Sequence, residues 1–205
     1  MPTKNPDLHG YVPDSSPVAL ILIDVINAFE FEGAEPIYES TIRVAPAIAS
    51  LKKRAKEAGI PVIYVNDNFG KWQSDFRKLL EHCLEDGVKG EPIVRMLQPD
   101  SDDYFVLKPK HSGFYSTNLD VLLNYLQTES LILAGITANI CVLFTANDAY
   151  MRDYELIVPG DCVASESDEE NRNALQQIAK VLKADTRPST EIDLEALKAR
   201  RPEEK

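Results

Sequence analysis

Residues Leu131 to Met151 read LILAGITANICVLFTANDAYM, and their order sets the fold class. An apolar β-type run, Leu131 to Ala134, meets Gly135, then Thr137 and Asn139, then a helical pattern that opens at Cys141. A strand thus hands the chain to a helix start, with a thiol in the first turn. Unpaired N–H groups gather partial positive charge there and favour thiolate over thiol. A cysteine in an apolar helix is more often packing. This one is placed to react.

Working outward, the same alternation recurs. Val18–Ile23 is continuously apolar and ends at Asp24, the pattern of a buried parallel strand. Val44, Ile48, Leu51, Ala55 and Ala58 step by threes and fours to a stop at Gly59, which predicts an amphipathic helix. Pro61–Val65 is a second strand, Asp75–Leu84 a helix, Tyr104–Leu107 a third strand and Leu119–Leu126 a helix. After the cysteine helix come a strand at Glu155–Val158 and a helix opened by Ser167 and the acidic Asp168–Glu170, with Leu175, Ile178 and Leu182 inward. Strands alternating with helices imply βαβ units, hence a single three-layer α/β/α domain with a mainly parallel, doubly wound, Rossmann-like sheet. Residues 1–17, with four prolines, read as an extended arm, and about 198–205 as a charged, frayed tail.

The chain's 205 residues are enough for one real core, and a net charge of −11 argues against nucleic acid and anionic membrane partners. No apolar run approaches the roughly 20 residues of a membrane helix, and the N-terminus lacks a signal-peptide layout. Cys83, Cys141 and Cys162 form neither an even framework nor a CxxC pair, so reduced thiols and a cytoplasmic location are expected.

In doubly wound folds the functional crevice lies beyond the carboxyl ends of the strands. Asp24 ends the first strand, Lys108 follows the third, and Cys141 follows the Leu131–Ala134 strand. Lys108 beside the thiol favours thiolate, Asp24 serves as general base and acid, and N–H groups near Ile140 and Cys141 are the expected donors to an oxyanion.

These residues also carry a resemblance. ALILIDVINAF with Asp24, VLKPKHSGFYSTNL with Lys108, LILAGITANICV with Cys141 and the following YELIVPGDCVAS together resemble the isochorismatase-like cysteine hydrolases, a group that includes nicotinamidases and N-carbamoylsarcosine amidohydrolase. The resemblance implies a triad of Asp24, Lys108 and Cys141. It also implies a cis peptide between Ile136 and Thr137, shaping an oxyanion hole with the Cys141 N–H. Lys110 is the competing lysine, but the family's spacing to the Ser112 element selects Lys108. Nicotinamidases hold a divalent metal through an Asp-x-His element with further histidines. Here that stretch is YVNDNFGKW, and His9, His82 and His111 lack ligand spacing, so no catalytic metal and no organic cofactor are expected. Isochorismatases proper lack the cysteine and cleave an enol ether. A Cys141 chain is instead expected to attack a carbonyl carbon bonded to nitrogen.

Asn27, Phe29, Asn66, Trp72, Phe114 and Tyr115 are the candidate substrate-binding residues, suiting a small planar amide, ureide or imide. His111 beside Ser112 suggests a serine–histidine pair, but neighbours on extended chain point to opposite sides. Two other classes compete. A thiol-based redox sensor would use the same cysteine without acylation, and a silent scaffold would keep only the fold. The Val142–Phe144 helix and the arm are expected to pack against another copy, as dimer or tetramer.

Overall fold

β1, Val18–Ile23, is VALILI with every residue buried, so it needs cover on both faces. The computed structural model, which describes residues 15–68 and 75–200, places it centrally in a parallel sheet of order β3-β2-β1-β4-β5. β2 is Val62–Asp67, β3 Tyr104–Lys108, β4 Ser130–Ile136 and β5 Glu155–Ile157, while the short β6, Val163–Ala164, pairs with the end of β4. The helices are α1 (Ala34–Glu57), α2 (Phe76–Glu85), α3 (Glu91–Met96), α4 (Leu119–Tyr125), α5 (Leu143–Tyr150), α6 (Asp168–Val181) and α7 (Leu194–Lys198).

Alternation along β1 divides the core in two. Val18, Leu20 and Leu22 pack with α1, α2, α3 and α7, whereas Ala19, Ile21 and Ile23 pack with α4, α5 and α6. The result is the three-layer α/β/α arrangement. Register then aligns the functional strand ends: Ile23 lies opposite both Val65 and Gly135, and Asp67 lies opposite Lys108. Strand order reverses between β1 and β4, which is where ligands bind in such sheets.

The two central strands touch most closely at Gly135. Its φ is +121°, and a Cβ there would fall 2.1 Å from the Ile23 carbonyl oxygen. Glycine is required by both conformation and space.

Some boundaries differ from the sequence reading. α1 starts at Ala34, ten residues before Val44, and carries Pro46 inside it. Proline removes one helical hydrogen bond and normally marks a boundary. Here the buried stripe of Ile37, Thr41, Ala45, Ile48, Leu51 and Ala55 runs straight past it, and tertiary packing wins. β6, α3 and α7 were not foreseen. The described end of the arm is docked: the Ser16 N–H donates to the Leu126 carbonyl at 2.8 Å, and the Pro17 carbonyl accepts from Glu129 and Ser130. Arm residues 1–14 and tail residues 201–205 lie outside the described residues. No helix among the described residues is long and apolar enough to cross a membrane.

Candidate active site

Three strand ends bring Asp24, Lys108 and Cys141 together. Lys108 has no exposed surface, and its Nζ lies 2.8 Å from Asp24 Oδ2, 3.6 Å from Asp67 Oδ2 and 3.5 Å from Cys141 Sγ. Asp24 has left-handed backbone (φ 54°), uncommon outside glycine, immediately after β1. Its Oδ1 accepts the Asp67 N–H at 2.7 Å. A buried ammonium, a nearly buried carboxylate and a half-buried thiol therefore form one connected cluster.

Charge in this cluster differs from the expectation of a ready thiolate. Burial pushes the Cys141 thiol up to about 12, the Asp24 charge adds to the effect, and Lys108 opposes it without prevailing. Burial and the Asp24 charge both favour the neutral thiol. Burial also raises the Asp24 carboxyl above the ordinary carboxylate range, against the pull of Lys108. A carboxylate with a raised pKa is the better base. Burial works against the Lys108 ammonium, but Asp24, Cys141 and Asp67 outweigh it and keep the lysine charged. Activation of this thiol thus depends on proton transfer during attack.

The helix start also differs from the sequence reading. A π-helical turn, Ala138–Val142, precedes α5, so Cys141 sits in its fourth position and the helical path begins at Ala138, three residues earlier than expected. π-turns inside helices are frequent at functional sites. The peptide bond from Ile136 to Thr137 is cis. The Ile140 N–H, one expected oxyanion donor, is already given to the Thr137 carbonyl at 3.1 Å. This leaves the N–H groups of Thr137 and Cys141 as the candidates.

The suggested pocket residues scatter. Asn27 is buried, with Oδ1 accepting the Phe29 N–H at 2.8 Å, and Phe29 packs edge-on to Tyr38 in the α1-side core. Asn66 is buried, donates Nδ2 to the Ile26 carbonyl at 2.8 Å and leaves Oδ1 without a partner among the described residues. Phe114 lies in the opposite core, against Tyr154 and the Arg152 guanidinium. Tyr115 is exposed. Trp72 lies outside the described residues. Cys162, the suggested partner of a redox reading, is buried in the α1-side core, whereas Cys141 packs against the other core. A nicotinamidase-type metal does not fit the described residues near Asp67. That carboxylate faces the Lys108 ammonium, Asn68 follows it, and His82 is engaged with Glu30 and Asp86.

His111 is the residue that sequence reasoning set aside. Its neighbour Ser112 turns inward to Asp148, so His111 faces the other way and brings Nδ1 to 3.9 Å from Cys141 Sγ. The opposite directions were legible; what lay on the far side was not. Its place three residues after Lys108 was the available signal.

Residues 18–186 match the family model described as Isochorismatase domain. The chain is 44% identical over 174 residues to the uncharacterized isochorismatase family protein YaaI of Bacillus subtilis, covering 85% of this chain and 95% of that one. It is 34% identical over 177 residues to the isochorismatase of the same organism, covering 83% of this chain but only 55% of the longer protein. Among solved structures, the N-carbamoylsarcosine amidase of Thermoplasma acidophilum superposes with a TM-score of 0.66 at 29% identity, covering 86% of this chain and 98% of that one. On this evidence the chain belongs to the isochorismatase family of hydrolases.

Proposed function

We propose that this protein is a metal-independent cysteine hydrolase that cleaves a C–N bond of a small amide, ureide or imide. The observation that carries this reading is Lys108, which lies within 3.5 Å of both the Asp24 carboxylate and the Cys141 sulfur at the switch point of the sheet. As the Sγ–carbon bond forms, Asp24 takes the thiol proton. The carbonyl oxygen becomes an oxyanion beside the N–H groups of Thr137 and Cys141. Collapse breaks the C–N bond, and Asp24 passes its proton to the leaving nitrogen. Water then hydrolyses the thioester and releases the acid. Lys108 keeps the carboxylate charged and in place before attack. The likeness to an N-carbamoylsarcosine amidase supports carbonyl–nitrogen chemistry.

The test is a substrate panel of N-carbamoyl amino acids, simple amides, cyclic imides and isochorismate, run with the parent and Cys141→Ala. Release of amine or ammonia that disappears in Cys141→Ala supports the reading. Turnover of isochorismate alone, unaffected by Cys141→Ala, rejects it. Self-association, as dimer or tetramer, belongs to the same proposal. Val142 is in the core, but Phe144 and Tyr150 on α5 and Met151 just after it expose apolar surface.

A further inference from the structure

Hydrolysis of an acyl-enzyme needs a base that takes a proton from the attacking water, and two groups lie near Sγ on different sides of it. Asp24 is largely buried, with Oδ1 held by the Asp67 N–H and Oδ2 by Lys108. His111 is exposed, and its Nδ1 lies 3.9 Å from Sγ. Its ring is backed by Phe144, with centroids 5.5 Å apart. The loop that carries it is tied to the nucleophile's own backbone. Thr145 Oγ1 accepts the Gly113 N–H at 3.0 Å and donates to the Cys141 carbonyl at 2.7 Å, while Ser112 Oγ binds Asp148. An exposed imidazole held over a sulfur by two such ties has more than a packing role.

We propose that His111 is the base for deacylation, which rests on the acyl-enzyme reading above. A water hydrogen-bonded to Nδ1 lies within van der Waals reach of a carbonyl carbon bonded to Sγ. Nδ1 takes one water proton as the oxygen–carbon bond forms. The tetrahedral adduct then collapses, the C–S bond breaks, and Nδ1 returns that proton to the leaving sulfur. Thioester and water become carboxylic acid and thiol, with no other reactant. Labour is divided: Asp24 serves acylation from the buried side, and His111 serves hydrolysis from the open side.

p-Nitrophenyl acetate tests this without knowledge of the natural substrate. The parent, His111→Gln, His111→Ala and Cys141→Ala are acetylated, desalted and followed by intact-protein mass spectrometry. Both His111 variants are expected to acetylate on Cys141 at the parental rate and to keep the acetyl group about 100-fold longer or more, the usual scale of general base catalysis. Added imidazole should shorten that lifetime in His111→Ala and leave the parent almost unchanged. Parental deacylation rates in both variants overturn the proposal. So does an equal slowing of acetylation, or slow deacylation that imidazole does not restore, since either marks a role in loop order alone. Absence of any Cys141-dependent acetylation in the parent rejects the nucleophile itself, a different failure.

Discussion

The Lys108 ammonium lies 2.8 Å from Asp24 Oδ2, and the lysine has no exposed surface. Two charges in such a place are costly to bury and are retained only when each satisfies the other. The pair forms because β3 and β1 end at the same level with β2 between them. Asp67, the last residue of β2, adds its N–H to Asp24 and its carboxylate to Lys108.

Lys108→Met is therefore expected to reduce stability as well as activity. Removing one partner of a buried ion pair typically costs roughly 3–5 kcal/mol, because the other charge stays behind. Urea unfolding of the parent, Lys108→Met and Lys108→Met with Asp24→Asn checks this. The double variant should recover part of the loss, since no unpaired carboxylate remains at position 24. Equal stability of the single variant and the parent would mean that the pair does not hold the site.

The thiol gives a prediction with a definite sign. With Cys141 pushed up to about 12, the thiolate fraction keeps growing throughout the neutral and mildly alkaline range. Alkylation of Cys141 by iodoacetamide should rise about tenfold per pH unit, without a plateau near neutrality, because thiolate is the reacting form. Asp24→Asn removes the negative neighbour and should speed alkylation, whereas Lys108→Met should slow it. Cys83 and Cys162 have no exposed surface, so labelling of the folded protein should report on Cys141. A Cys141 rate that levels off near neutral pH would restore the picture of a resting thiolate.

Gly135→Ala should damage fold and function together. Its Cβ would meet the Ile23 carbonyl at 2.1 Å and the Ile23 nitrogen at 2.8 Å, in backbone that disfavours any side chain. Relief requires β1 and β4 to separate where Asp24 and the π-turn begin. A loss of about 3 kcal/mol or more is expected, in the range kept for overpacking and forced backbone. Thermal unfolding measures it, and a loss under about 0.5 kcal/mol, the size of an ordinary surface change, would refute the packing argument.

How far the sequence reached can be traced residue by residue. The continuously apolar Val18–Ile23 read correctly as a buried parallel strand because burial on both faces leaves no polar alternation to confuse it. Ser167 read correctly as a helix start, and its side chain does accept the Glu170 N–H. The start of α1 was missed because its first turns, residues 34–43, carry few apolar residues, and buried Ala34 and Ile37 are fixed only by the assembled core. Two-residue β6 carries too little pattern to be seen. At the site, Asp24 directly follows a buried run, Lys108 closes β3 and Cys141 follows β4 by five residues, so their meeting at strand ends was legible. The high thiol pKa was not, because desolvation and the nearness of Asp24 are properties of the assembled crevice. His111 was discounted because it and Ser112 point to opposite sides, and its position over Sγ needed the folded loop.

The most direct test of the nucleophile is to stop a reaction in progress. A ureide or amide that the protein turns over is mixed with it, quenched in acid within the first turnovers and digested for peptide mass mapping. The acyl portion of the substrate should appear on the peptide containing Cys141, and Cys141→Ala should lose turnover while unfolding like the parent. Full turnover by Cys141→Ala, with no acyl mass on that peptide in the parent, would contradict covalent catalysis by Cys141.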